Sequence, residues 1–262
     1  MFLDELLDRL WRGYLAITPQ AERIHALLEA RGERVVNDHI ALRTYDREGI
    51  GIDAVARPFC ALGYREGGAY EFPDKRLRAR HYEHPEPGRP KVFISELEVD
   101  SLSDDAARAI ASLVSAAKDV AASAEFPACG RPWPVTYATY DALAAESEYA
   151  AWVAAFGFCA NHFTVDVGAL ETFSDLPSLN EFLVGHGFAL NESGGAIKGG
   201  PEVLLEQSST LADRIAVELG GETRRIPSCY YEFARRYRLP SGEIFQGFVP
   251  TSADRLFEST DR

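Results

Sequence analysis

The sequence predicts an α+β protein built from two paired βαβββ modules around a central cleft, with a helical N-terminal segment and a helical insertion. A strand pattern that carries a histidine occurs twice, at residues 35–45 and 161–167. A helix pattern follows each strand and ends at Gly63 or Gly187, at nearly the same distance from the histidine. An aromatic residue then opens another strand in both halves. Because a recurring pattern of this kind indicates a duplicated unit, we expect the two halves to share one topology.

The first module is expected at residues 35–99. Apolar residues at helical spacing mark its helix between residues 52 and 63, and pairs such as Pro73-Asp74 separate its strands. The strands are predicted at residues 35–45, 64–72, 77–84 and 91–99.

The second module is expected at residues 160–262, with a helix at residues 177–186. The pairs Gly194-Gly195 and Gly199-Gly200 are interpreted as hairpin turns. Its strands are predicted at residues 161–167, 203–207, 214–218 and 229–237, and a short helix at residues 252–258 is predicted to close over the module.

Two helical regions complete the predicted organisation. Residues 1–34 form a helical N-terminal segment, and residues 100–159 form a helical insertion between the modules. Within the insertion we expect one helix that is capped at Ser103 and a second helix over residues 140–156.

Charge and composition disfavour several classes of function. The 262 residues carry a formal net charge of −13, which disfavours nucleic acid and anionic membranes because both attract clustered cations. No apolar stretch is long enough to cross a bilayer, and the N-terminus lacks the pattern of a signal peptide. Four scattered cysteines suggest neither a disulfide framework nor a thiolate zinc site. We therefore expect a soluble, cytoplasmic protein that binds neither nucleic acid nor membranes, with its oligomeric state left open.

One face of the strand at residues 35–45 has the character of a binding site. Side chains alternate along a strand, so His39 and Arg43 point to the same side with only the small Ala41 between them. An imidazole and a guanidinium in this arrangement leave room for a ligand over both. The alternative is that His39 is a structural residue that makes hydrogen bonds.

The second module supplies two more candidates for a metal site. His162 lies on the equivalent strand, and Glu232 lies on the last strand, where a carboxylate beside aromatic residues is costly unless it is paired or coordinated. Two imidazoles and one carboxylate form the facial triad of non-haem Fe(II) sites that react with O₂. We predict His39, His162 and Glu232 as the metal ligands. The alternative for Glu232 is an ion pair with Arg43, Arg235 or Arg236.

Four motifs in the sequence resemble a known family. They are His39-x-Ala41-x-Arg43-Thr44, Asn161-His162-Phe163-Thr164, Leu205-Glu206-Gln207-Ser208-Ser209-Thr210 and Tyr230-Tyr231-Glu232-Phe233-Ala234-Arg235-Arg236. Together they are similar to the DUF1338 family, whose characterised members are 2-oxoadipate dioxygenase/decarboxylases related to the glyoxalase-like vicinal oxygen chelate superfamily. The resemblance extends over nearly the whole chain. It implies a metal cleft between the modules, Fe(II) held by His39, His162 and Glu232, and conversion of 2-oxoadipate and O₂ to 2-hydroxyglutarate and CO₂.

The predicted substrate-binding residues are Arg43, Gln207 and Ser209. The resemblance implies that Arg43 binds a substrate carboxylate, and its guanidinium suits the distal carboxylate of a dicarboxylic 2-oxo acid. The alternative is a structural salt bridge from Arg43 to Glu96 or Asp166. Gln207 and Ser209 either donate hydrogen bonds to a bound carboxylate or cap the turn that follows them.

Glu96 corresponds to Glu232 if the two modules are aligned by their closing motifs. Ile94-Ser95-Glu96-Leu97 resembles Tyr230-Tyr231-Glu232-Phe233, which makes Glu96 a candidate fourth ligand of the kind used by glyoxalase-like relatives. We favour Glu96 as a partner of Arg43 instead, because a facial triad keeps positions open for substrate and O₂.

Two other classes of function stay open. A metal-dependent isomerase or lyase on the same fold would work without O₂ and would tolerate Ni(II) or Zn(II). A non-catalytic module would bind a small molecule in the cleft without turnover and without loss on chelation.

Overall fold

One eight-stranded sheet contains both modules in the computed structural model, which describes residues 2–117 and 120–250. Its strands in chain order are β1 (Asn37–Tyr45), β2 (Arg65–Phe72), β3 (Leu77–Glu83), β4 (Lys91–Leu97), β5 (Ala160–Asp166), β6 (Lys198–Gly200), β7 (Leu205–Ser209) and β10 (Glu232–Arg236). Two further strands, β8 (Arg214–Leu219) and β9 (Glu222–Pro227), form a separate hairpin.

The order of the strands in the sheet shows the duplication. The sheet runs β2-β3-β4-β1-β5-β10-β7-β6, so each half repeats the same sequence of neighbours outward from its first strand. The first strand is parallel to the closing strand in both halves, β1 with β4 and β5 with β10. Antiparallel pairing of β1 with β5 joins the two modules at the centre. The predicted α+β fold of paired βαβββ modules is confirmed.

The strand predicted at residues 214–218 is present, but its predicted place in the sheet of the second module is wrong. It exists as β8, but it pairs only with β9 in a hairpin that stands outside the main sheet. Gly220 and Gly221 join the two strands with φ values of 65° and 89°. A two-residue turn with positive φ at both positions is the tightest common connection between antiparallel strands. This inserted hairpin accounts for the greater length of the second module.

The missing strand of the second module is β6, where the sequence suggested a turn. The pair Gly199-Gly200 was interpreted as a hairpin turn, but it belongs to β6 and pairs with β7. The strand is short and rich in glycine, so the propensity of its residues gives no strand signal. Backbone pairing at the edge of the sheet decides its conformation.

Seven α-helices surround the sheet in the described residues. They are α1 (Leu3–Ile17), α2 (Pro19–Ala30), α3 (Ile52–Ala61), α4 (Asp104–Val114), α5 (Tyr137–Glu146), α6 (Glu148–Phe156) and α7 (Leu176–Gly185). Helix α1 packs on β5 through its apolar face, and the Tyr14 hydroxyl donates to the Tyr230 carbonyl over 2.6 Å. The N-terminal helix thus covers the face of the sheet opposite the cleft.

The single helix predicted at residues 140–156 is wrong, because the structure has two helices that meet at Ser147. The Ser147 hydroxyl accepts a hydrogen bond from the Ala150 amide and so caps the start of α6. Every residue of α6 from Tyr149 to Phe156 is buried, and its N-terminal part lies beside β1. A helix that is buried on all sides has weak amphipathic periodicity, which is why its start was misplaced. The predicted cap at Ser103 is confirmed for α4.

Some predictions are not tested by the described residues. The closing helix predicted at residues 252–258 lies outside them. The division of the chain at residues 34, 99 and 159 stays a prediction. Among the described helices, none combines the length and apolar character needed to span a bilayer.

Candidate metal centre

The three predicted metal ligands come together at the junction of the two modules. His39 on β1 and Glu232 on β10 both pair with Thr164 of β5. His162 precedes Thr164 by two residues on β5 and therefore lies on the same face. One ligand atom from each of the three residues lies within 4.8 Å of the others. All three side chains are buried. The sheet register therefore explains why residues far apart in the sequence converge.

The carboxylate of Glu232 faces both imidazoles. His39 Nε2 lies 3.4 Å from Glu232 Oε1, and His162 Nε2 lies 3.3 Å from Glu232 Oε2. Burial raises the pKa of Glu232, although His39 and Gln207 oppose that rise. Burial also lowers the pKa of His162, and the nearby His39 and Arg43 lower it further. A neutral imidazole and a buried carboxylate that lacks full charge compensation are suited to holding a divalent cation.

Asp38 orients His39, a role that the sequence interpretation missed. Its Oδ1 lies 2.7 Å from His39 Nδ1, so the imidazole can donate there and direct Nε2 toward the centre. Arg236 binds the same carboxylate through Nε at 2.6 Å and Nη2 at 2.9 Å. Burial alone would raise the pKa of Asp38, but Arg236 and His39 hold that pKa well below its usual range. A carboxylate behind a ligating histidine fixes the tautomer and increases its basicity.

Asp38→Asn should weaken metal binding by about 10- to 100-fold, the usual effect of losing a carboxylate behind a ligating histidine. The amide can still accept from His39 Nδ1, but it no longer supplies the negative charge that makes Nε2 a stronger ligand. Anaerobic Fe(II) titration against a competing chelator measures the affinity, and circular dichroism checks that the variant is folded.

Asp166→Asn is the matched control for this prediction. Asp166 is also an acidic residue, at the end of β5, but its Oδ1 accepts from the Gly168 amide at 2.9 Å. Its substitution should leave iron affinity unchanged. Equal affinity in the Asp38 variant and the wild type would contradict the orienting role.

Gln207 supports the carboxylate of the triad. Its Nε2 donates to Glu232 Oε1 over 2.7 Å, and its side chain lines the same cavity. Ser209 pairs with Glu232 in the register of β7 and β10, but it is not among the residues that line the cavity. Ser208 lies on the other face of the strand and donates to Asn180. Substrate contacts by Gln207 and Ser209 stay predictions.

Arg43 lies in the same cavity as the triad, next to a buried aromatic wall. Its guanidinium carbon lies 4.9 Å from the centre of the Tyr149 ring and 5.2 Å from that of Trp152, and both rings belong to α6. The side chain is only 3% exposed. Aromatic faces stabilise a buried guanidinium and hold its plane in one orientation.

Glu96 is neither a fourth ligand nor a partner of Arg43 in the described contacts. Its Oε2 accepts from the Ile52 amide over 2.9 Å, and its Oε1 lies 3.2 Å from Arg78. The similarity of the closing motifs suggests an alignment of the two modules that differs from the one in the sheet. Ala41 and Thr164 each follow a triad histidine by two residues, and their partners on the closing strands are Phe93 and Glu232. Phe93 therefore occupies the position that corresponds to Glu232.

Phe248 closes the cavity over the triad. Its ring packs edge-on against His39 at 4.8 Å between centres and contacts Phe93 at 5.0 Å. The Phe248 amide donates to the Tyr70 hydroxyl, and Arg236 Nη1 donates to the Gly247 carbonyl over 2.7 Å. The cavity beside Phe248 measures about 30 Å³. That volume accommodates only two or three water molecules, at about 10–15 Å³ each.

Comparison with known proteins places the chain in a family. The family model described as 2-oxoadipate dioxygenase/decarboxylase matches residues 12–128 and 114–244. The chain belongs to this family. The resemblance seen in the four sequence motifs is confirmed, and the match includes every residue of the triad together with Arg43.

Named relatives agree with the family match. The chain is 34% identical to the chloroplastic 2-oxoadipate dioxygenase/decarboxylase of Arabidopsis thaliana. That similarity covers 99% of this chain and 77% of the relative. A crystal structure of the hydroxyglutarate synthase from Oryza sativa, in complex with 2-oxoadipate, is 31% identical with a TM-score of 0.92. That similarity covers 98% of this chain and 91% of the other.

A crystal structure from Shewanella frigidimarina NCIMB 400 is also similar, and its protein is described as a hydrolase. It shares 47% identity with a TM-score of 0.90, covering 94% of this chain and 97% of the other. A site with two histidines and one glutamate can also hold hydrolytic zinc. A direct test must therefore separate oxidation from hydrolysis.

Proposed function

We propose that this chain is an Fe(II)-dependent dioxygenase that converts 2-oxoadipate and O₂ to 2-hydroxyglutarate and CO₂. The observation that carries the proposal is one cavity that is lined by the triad of His39, His162 and Glu232 and also by Arg43. The family match and the 2-oxoadipate bound to the Oryza sativa relative support the choice of substrate.

The donor set fits iron that reacts with O₂. Three protein ligands leave coordination positions open, and the sheet position where a fourth carboxylate could enter holds Phe93. When bound, Fe(II) would supply the redox chemistry with O₂ that the protein side chains cannot perform. Asp38 would keep His39 in its ligating orientation, and Gln207 would hold Glu232 in place.

Arg43 determines the kind of substrate in this proposal. It lies on the same strand as His39 but two inward-facing positions further along, about 13 Å at the usual rise per residue, and its long side chain can reach back toward the cavity. A six-carbon 2-oxo dicarboxylate bound to the metal at its oxo-acid end can direct its distal carboxylate toward the guanidinium. Since the cavity measures only about 30 Å³, we expect Phe248 or another wall to move when this molecule enters.

The decisive experiment loads the purified chain with Fe(II) under anaerobic conditions and measures O₂ uptake with 2-oxoadipate. We expect one O₂ consumed and one CO₂ and one 2-hydroxyglutarate formed per 2-oxoadipate, since this balance conserves every atom. Zinc-loaded protein is the control and should be inactive, because zinc has no accessible redox change.

Other outcomes identify the competing functions. Turnover that continues without O₂, or with zinc, would replace the proposal by an isomerase, a lyase or a hydrolase. Tight binding of 2-oxoadipate without turnover would indicate a binding module. Either result overturns the proposed oxidation.

A further inference from the structure

The hydroxyl of Tyr230 is a buried donor inside the metal cavity. Tyr230 is fully buried, its side chain lines the cavity, and its ring stacks on His162 at 4.7 Å with an angle of 27° between planes. Within the described part of the chain the hydroxyl makes no hydrogen bond. A buried hydroxyl without a hydrogen-bond partner destabilises the folded protein. A polar group kept at that cost inside a binding cavity points to a ligand.

Strand directions place Tyr230 on the side of Glu232 that leads toward Arg43. Because β1 runs antiparallel to β5 while β10 runs parallel to β5, residues that follow His39 lie beside residues that precede Glu232. Ala41 pairs with His162, and the ring of Tyr230 stacks on His162 at this same level. Arg43 lies one inward-facing step further in the same direction. Tyr230 therefore lies at the level of His162, in the direction that leads from Glu232 toward Arg43.

We propose that the Tyr230 hydroxyl donates a hydrogen bond to the distal carboxylate of the substrate and acts with Arg43 to select dicarboxylic 2-oxo acids. This inference rests on the proposed function and extends it by a second specificity-determining residue. A phenol is protonated at neutral pH and can donate, while a carboxylate only accepts. A guanidinium and a phenol together satisfy more of the carboxylate lone pairs than Arg43 alone.

A nearby tyrosine provides a matched control. Tyr231 is also fully buried, and its hydroxyl likewise has no hydrogen-bond partner among the described residues. It lies on the opposite face of the closing strand, where its ring contacts Trp11 and Tyr14, and it does not line the cavity. Tyr230→Phe and Tyr231→Phe thus remove the same atom from two equally buried sites that differ in access to the substrate.

The test compares 2-oxoadipate with 2-oxohexanoate, which has the same chain length but no distal carboxylate. Tyr230→Phe should lower kcat/KM for 2-oxoadipate by about 10- to 100-fold, mainly by raising KM. This fold-change is the usual effect of losing a hydrogen bond to a charged group. Its kcat/KM for 2-oxohexanoate should stay within about twofold of the wild type. Tyr231→Phe should leave both substrates unchanged.

Calorimetry under anaerobic conditions gives a second readout that needs no turnover. The Kd of 2-oxoadipate on the Fe(II) protein should rise by the same factor in Tyr230→Phe. Iron content should be unchanged, and the Tm of the ligand-free protein should equal or exceed that of the wild type, because the substitution removes a buried hydroxyl that the described residues leave unpaired. If the wild type consumes no O₂, the proposed function fails while calorimetry still tests the hydroxyl. Equal losses for both substrates, or equal effects of the two tyrosine substitutions, would overturn the proposal in favour of a structural role.

Discussion

Glu232→Gln should remove iron binding and O₂ uptake while the fold stays intact. Glu232 supplies the only carboxylate of the triad and lies within 3.4 Å of both imidazoles. Removing one partner from a buried charge pair costs about 3–5 kcal/mol, which corresponds to about 10²- to 10⁴-fold weaker metal binding. Iron content after anaerobic loading and gel filtration measures the loss, and O₂ uptake should fall in parallel.

The stability of the metal-free protein should change in the opposite direction. Burial raises the pKa of Glu232, so the folded protein favours the protonated side chain. The free energy of unfolding therefore falls as the pH rises above the pKa that Glu232 has in the unfolded chain. A neutral amide avoids that cost at neutral pH. The Tm of metal-free Glu232→Gln should therefore equal or exceed that of the metal-free wild type.

Glu96→Gln is the control, because the closing motifs suggest that Glu96 is equivalent to Glu232 although the sheet register separates them. Its carboxylate serves the Ile52 amide and Arg78 instead of the cavity. This variant should keep full iron content and lose only some thermal stability. Loss of iron from Glu96→Gln, or retention of stoichiometric iron by Glu232→Gln, would contradict the assignment of the triad.

Arg43→Ala should abolish the preference for dicarboxylic substrates and leave the metal in place. A buried bidentate contact to a carboxylate is worth about 2–5 kcal/mol, so kcat/KM for 2-oxoadipate should fall by about 30- to 4000-fold. Activity with 2-oxohexanoate should change much less. Arg43→Lys should recover only part of the loss, because an ammonium group cannot form the planar double contact.

Measuring iron content, Tm and O₂ uptake on one preparation separates this role from a structural one. The sequence suggested Glu96 or Asp166 as structural partners of Arg43. The structure instead shows contacts from Glu96 to Ile52 and Arg78, and from Asp166 to Gly168. A variant that loses iron and thermal stability together, without any change in substrate preference, would show that Arg43 is structural.

The convergence of the triad could be predicted because it depends on local alternation and on the repeat. The faces of His39 and His162 follow from the period of two in a strand, and duplication implies that both first strands meet. The position equivalent to Glu232 could not be found in the same way. Phe93 and Glu96 are three residues apart, and only hydrogen-bonded register tells which one faces the cavity.

Other features depended on contacts between distant residues. Asp38 precedes a candidate ligand, but its role depends on Arg236, which lies near the other end of the chain and was considered only as a partner of Glu232. The hairpin of β8 and β9 is an exception, because Gly220-Gly221 is a typical two-residue turn between antiparallel strands. No pattern in the sequence indicates that Phe248 packs over His39, because that contact depends on the path of the chain after the last strand.

Arg236 connects the two ends of the site through one guanidinium. It holds the carboxylate behind His39, and it also binds the carbonyls of Phe245 and Gly247, which position Phe248 over the cavity. A movement of the backbone at residues 245–248 must carry Arg236 along or break these bonds. Substrate entry and the basicity of His39 are thereby energetically coupled. Thermodynamic reciprocity then requires iron to change the affinity for the oxo acid by the same factor by which the oxo acid changes the affinity for iron.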